Sequence, residues 1–172
     1  MLAYVVEAFE GFGCEVAVVT SPHTPYTANW CRAQGILTVK SRGRGYVEDL
    51  VEVAGILDGS GPFFTSVADL PCLASEILDD IFAGYVQSGR PACSAWIPRE
   101  ICRELDCRTR YVEVVDGIPA CPVGINILRF EGIEEPQEEE RLLVADQRLA
   151  YNVNTRDERE RVERFLCRKR SA

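Results

Sequence analysis

Over residues 15–87 the sequence alternates short β-type apolar runs with stretches of helical periodicity, three times over. The runs cover residues 15–20, 36–40 and 62–68, and the helical stretches cover 25–34, 46–57 and 76–87. Strands separated by a helix's length cannot pair as tight hairpins. The spacing therefore dictates βαβ winding, with a parallel sheet and right-handed crossovers. The punctuation agrees: Thr24 is placed to cap a helix that has Pro25 at its first position, and Gly35 stops it. Residues 46–57 present an apolar face at Val47, Leu50, Val51, Val53, Ala54 and Leu57, and Ser75 is expected to cap residues 76–87. An earlier helix is expected from Leu2, Val5, Val6, Phe9 and Phe12, which fall at helical spacing, with Gly11 and Gly13 suiting its end.

The second half changes character. Residues 111–115 and 118–121 flank Asp116-Gly117, a strong hairpin signal, and 124–130 reads as a further strand. The acidic stretch 131–140 around Pro136 reads as a solvated loop, and 155–169 as a charged closing helix capped by Asn154 or Thr155. The expectation is one three-layer α/β domain over residues 1–172, with a mostly parallel sheet and a late antiparallel hairpin. Its ligand crevice should lie at the carboxyl ends of the parallel strands.

Composition narrows the function classes. The chain has 172 residues, 47% of them apolar, enough for a substantial core. Twenty-seven acidic residues against 19 Lys plus Arg leave a formal charge of −8, which argues against a nucleic-acid partner. The one basic run, Arg168-Lys169-Arg170, reads as a frayed tail. No apolar stretch approaches the ~18 residues of a membrane span and no signal-peptide pattern occurs, so a cytoplasmic protein without a membrane partner is expected. Eight cysteines without a Cys-x-x-Cys, beside the single His23, favour buried free thiols over a metal cluster of Cys93, Cys102, Cys107 and Cys121. One or two disulfides are left open. Seventeen Arg against two Lys, with Glu-rich helices, point weakly to ion-pair networks of the heat-stable kind.

Three polar loops follow the three early strands and should converge on one sheet edge: Thr20-Ser21-Pro22-His23, residues 41–46, and Asp69-Leu70-Pro71. Gly43-Arg44-Gly45 opens a helix, where backbone N–H groups and the helix's positive end suit an anion. It matches neither G-x-G-x-x-G nor a Walker A loop, and a plain connection is the competing account. Asp69, just past a buried strand, is placed as a carboxylate for Mg²⁺ beside substrate phosphates, or else as a simple turn cap. In Asn152-Val153-Asn154-Thr155 an asparagine either completes the cation's shell or caps the closing helix. Gly124-Ile125-Asn126 carries a glycine where something approaches the backbone closely, and His23 is either a ligand contact or a satisfied loop residue. These residues alone indicate a nucleotide-binding α/β protein with its chemistry open.

A larger set of motifs occurs in order. It comprises Thr20-Ser21-Pro22-His23-Thr24-Pro25, Arg44-Gly45-Tyr46-Val47-Glu48-Asp49-Leu50, Ala68-Asp69-Leu70, Pro122-Val123-Gly124-Ile125-Asn126 and Asn152-Val153-Asn154-Thr155-Arg156-Asp157. The set resembles the archaeal GTP:adenosylcobinamide-phosphate guanylyltransferases of cobalamin assembly, relatives of the molybdenum-cofactor guanylyltransferases in the Rossmann-like nucleotidyltransferase superfamily. The resemblance implies transfer of GMP from GTP to adenosylcobinamide phosphate with release of pyrophosphate. It implies Asp69 as the Mg²⁺ ligand at the catalytic centre, with Asn154 (or Asn152) as the second ligand. Thr20, Ser21, Gly43, Gly45, Tyr46 and Asp49 would line the nucleotide, and Gly124 and Asn126 the corrinoid phosphate.

A related molybdopterin or sugar-phosphate nucleotidyltransferase, or a non-catalytic nucleotide-binding subunit, is the alternative. A homodimer is left open. The family's opening strand and G-G-x-G-T-R-M type loop have no counterpart in this sequence. The expectation is an N-terminally incomplete domain that binds GTP weakly and exposes an unpaired strand edge.

Overall fold

The computed structural model describes residues 1–107 and 111–170. Three strand–helix units open the described fold after helix α1 (Leu2–Phe12): β1 (Ala17–Thr20) and α2 (Pro25–Gln34), β2 (Leu37–Lys40) and α3 (Tyr46–Leu57), β3 (Pro62–Ser66) and α4 (Ser75–Ser88). Then come β4 (Ala92–Pro98), α5 (Arg99–Glu104), β5 (Glu113–Val115), β6 (Ile118–Arg129), β7 (Glu139–Leu143), a 3₁₀ turn at Gln147–Ala150 and α6 (Arg156–Arg170).

β1 and β2 pair in parallel as a two-stranded sheet. The other five strands form a second sheet in the order β3-β6-β4-β7, with β5 on β6. β6 runs antiparallel to β3, β4 and β5, and β4 runs parallel to β7, so β6 alone opposes the common direction. The mixed α/β fold with a mostly parallel sheet and a late hairpin is thus observed. The hairpin turns on Asp116 and Gly117, both at positive φ (49° and 78°), as a tight two-residue connection requires. Among the described residues β1 pairs only with β2 and β3 only with β6, so each keeps one unpaired edge.

The main core lies between α1, α4 and the larger sheet, around Phe9, Ile77, Leu78, Ile81, Ile125 and Ile127. β4 is buried on both faces: Cys93, Ala95 and Ile97 join that core, while Trp96 packs opposite with Val115, Ala120 and Leu143. Seven of the eight thiols stand with apolar neighbours in these clusters or beside them, and burial raises Cys93 to about 11 and Cys102 to about 12. They are held as thiols, packed like small apolar side chains.

Several local expectations are corrected. Ser75 is the first helical residue and Ala74 the N-cap, with no side-chain cap bond. Thr24 is the N-cap of α2, but its hydroxyl turns back to accept from Ser21 N–H (3.0 Å) and closes the preceding turn. The two expected strands 118–121 and 124–130 are one strand of 12 residues, Ile118–Arg129, whose register shifts opposite Ser94 and Trp96. The acidic stretch ends in strand β7 because arginines neutralise it: Arg90 pairs with Glu138 and Glu140, and Arg141 with Glu113 and Glu139. The basic run, expected as a frayed tail, lies within helix α6, which runs to Arg170. Among the described residues no helix is long and apolar enough to cross a membrane.

Candidate functional site

Asp69 stands on the loop after β3, half-buried and next to Leu70, which is 1% exposed and anchors the turn. The segment before α6 docks on it. Val153 N–H donates to the Asp69 carbonyl (3.0 Å), and Asn152 Nδ2 donates to Asp69 Oδ1 (3.1 Å). Asn154 Nδ2 in turn donates to Asn152 Oδ1. Asn152 therefore touches the carboxylate directly, and Asn154 reaches it through Asn152.

Local sequence fixes this segment. Thr155 and Glu158 form a capping box, a pattern readable as T-x-x-E that the sequence reading passed over. Glu158 accepts from the N–H groups of Asn154 and Thr155 (both 2.8 Å), and its own N–H donates to Thr155 Oγ1 (3.3 Å). Thr155 is thus the cap, which leaves the Asn154 amide for the site.

Burial raises the Asp69 carboxyl above its ordinary value, the backbone and Asn152 bonds oppose the shift, and the Glu158 charge adds to it. A carboxylate destabilised in this way is relieved by a cation. One carboxylate and two amides carry hard oxygens of the kind Mg²⁺ takes; Asn152 would have to turn its Oδ1 from Asn154 to the cation, and substrate phosphates would supply the remaining ligands. Among the described residues no group of three or more His, Cys, Asp or Glu could hold a metal without them.

The two earlier loops meet each other. A Cβ on Gly43 would lie 3.1 Å from the His23 ring and 3.3 Å from Ser21 Cβ, so the 21–24 turn packs directly on the glycine loop. Part of that loop is already occupied: Asp49 Oδ1 accepts from the N–H groups of Gly43 (3.0 Å) and Arg44 (3.1 Å). Asp49 closes the loop on its own helix, and its carboxylate takes up those two amides. Gly45 is the N-cap of α3 at φ 152°. The Thr20 hydroxyl, on a residue 2% exposed, has no hydrogen-bond partner among the described residues.

Tyr46 reaches from α3 to the larger sheet, where its hydroxyl meets Thr65 (3.2 Å) and Asn126 (3.5 Å). Gly124 lies two residues before Asn126 at φ 83°, and a Cβ there would stand 2.9 Å from both Val67 methyls. Val67 N–H donates to the Gly124 carbonyl (3.0 Å). The glycine's first task is thus to let β6 close on the segment that leads to Asp69. Sequence reasoning missed Thr65, because a threonine in a strand signals nothing beyond β propensity.

A cleft of about 560 Å³ opens elsewhere, between α5, the 3₁₀ turn and α6, and is lined by Leu105, Asp146, Arg148 and Phe165. Its guanidinium, Arg148, is engaged by Asp146 and Glu76. The cleft gathers none of the residues above.

No protein-family model matches the chain. Over 162 residues it is 28% identical to an adenosylcobinamide-phosphate guanylyltransferase of Methanocaldococcus jannaschii, covering 88% of this chain and 75% of that protein. A CMP:2-keto-3-deoxy-manno-octonic acid synthetase complexed with CTP superposes with a TM-score of 0.74 at 16% identity, covering 98% of this chain and 88% of the other. The molybdopterin-guanine dinucleotide biosynthesis protein A of Archaeoglobus fulgidus gives 0.63 at 11%, covering 97% and 85%. A hypothetical transferase of Thermus thermophilus gives 0.59 at 18% over 76% of this chain, which spans only about half (52%) of it. The solved structures speak to the fold alone. The chain has the nucleotidyltransferase fold, and its motifs resemble the adenosylcobinamide-phosphate guanylyltransferases, among which it has a relative over most of its length.

Proposed function

We propose that the protein transfers GMP from GTP to adenosylcobinamide phosphate in cobalamin biosynthesis. The observation that carries this reading is the relative of that activity, aligned over 88% of the chain. A phosphate oxygen of the acceptor attacks the α-phosphorus of GTP, the bond to the β-phosphate breaks, and pyrophosphate leaves. Such a transfer needs orientation and charge neutralisation more than a covalent nucleophile. Asp69, with Asn152 and Asn154, would hold Mg²⁺, which supplies neutralisation of the phosphate charge when bound. Thr20, Ser21 and the 43–46 loop border the guanosine, with Asp49 holding that loop in shape. Gly124 and Asn126 border the acceptor phosphate.

Nucleotide preference tests the donor half. GTP should stabilise the full chain against heat in the presence of Mg²⁺, by about 2.7 kcal/mol at a hundred times its Kd, with a clearly smaller effect of ATP at equal concentration. Equal shifts in the melting temperature would remove guanine from the assignment.

A further inference from the structure

Three polar side chains from three elements meet where the start of α3 crosses the β3–β6 ladder. Thr65 and Asn126 are directly opposed in that ladder, and Asn126 Nδ2 donates to Thr65 Oγ1 at 3.3 Å. The Tyr46 hydroxyl completes the group, 3.2 Å from Thr65 Oγ1 and 3.5 Å from Asn126 Nδ2. Tyr46 is 62% exposed, so packing does not hold its ring in place and the hydroxyl bonds do. The Asp49 bonds shape the glycine loop only against its own helix. α3 packs on β2, which belongs to the smaller sheet, whereas Thr65 and Asn126 belong to the larger one. The Tyr46 hydroxyl is therefore a tie between the nucleotide-side loop and the strand that leads, four residues on, to Asp69.

We propose that Thr65 is a positioning residue, whose hydroxyl fixes Tyr46 and Asn126 against each other and so sets the 43–46 loop relative to Asp69. The proposal deepens the transfer reading and rests on it. Thr65 itself touches no substrate. Its effect comes through geometry, to which such reactions are sensitive.

The test uses the full chain carrying Thr65→Val, which keeps the β-branched shape and removes the hydroxyl, with Thr65→Ser as the restoring variant. Amide hydrogen exchange over residues 45–49 should quicken about 5- to 10-fold in T65V and return to the wild-type rate in T65S. In the same proteins, kcat/KM for guanylyl transfer should fall about tenfold in T65V, recover in T65S, and fall little further when Tyr46→Phe is added. Unchanged exchange in T65V would overturn the tie. Faster exchange with kcat/KM within about twofold, or additive losses in the double variant, would overturn the positioning role. Should the wild-type protein transfer no nucleotide, the reaction reading falls and the exchange rates alone decide the tie.

Discussion

Replacing Asp69 with alanine is expected to lower kcat/KM for guanylyl transfer about a thousandfold while the chain stays folded. The activity half follows from the donor set. Asn152 donates to the Asp69 carboxylate and Asn154 to Asn152, and without the carboxylate two neutral amides remain to face a triphosphate. The folding half follows from where the side chain sits. The carboxyl is half-buried with its charge disfavoured by burial, so what its loss removes, a backbone bond and the Asn152 bond, is offset by relief of that burial. The Asp69 carbonyl, which holds Val153 N–H, survives the substitution. Circular dichroism and the melting temperature should match the wild type within a few degrees. Turnover at the wild-type rate would remove Asp69 from the mechanism.

Gly124→Ala should have the opposite signature, a large loss of stability. A non-glycine residue in the left-handed region costs about 1–2 kcal/mol, and forcing extra volume into a packed site costs about 1–3 kcal/mol. Both apply at φ 83° with the Val67 methyls 2.9 Å from the added Cβ, and valine has no flexible end to move aside. The sum, about 2–5 kcal/mol, should lower the melting temperature by roughly 5–15 °C in a chain of this size. A melting temperature unchanged in the variant would mean that β6 does not pass Val67 as closely as described.

Much of this architecture was legible because periodicity and punctuation agreed. The three early strand–helix units and the Asp116-Gly117 turn were read close to where they stand. β4 was not, although it is buried on both faces. Ala92–Pro98 carries Cys, Ser and Ala where a strand signal needs branched or aromatic residues, and a doubly buried strand shows no alternation. β7 was hidden by its acids, of which Glu140 pairs with Arg90, distant in sequence on the segment before β4. β6 reads in the sequence as two strands, 118–121 and 124–130, and between them lies Pro122, a residue disfavoured in a central strand. The structure accommodates it where the register shifts. At the site, Asp69 and the Asn-x-Asn-Thr segment stood out as polar residues on loops. Which asparagine meets the carboxylate depended on the capping box that turns Thr155 and Glu158 to the helix. The tie through Thr65 joins residues 46, 65 and 126, and no local pattern announces it.

The most direct measurement is the formation of the product itself. The full chain, with Mg²⁺ and adenosylcobinamide phosphate, should convert GTP to pyrophosphate and the guanosine-diphosphate-linked corrinoid in equal amounts. Omitting the corrinoid or substituting ATP should suppress both products. Pyrophosphate release that ignores the corrinoid, or equal yields from ATP and GTP, would contradict the account.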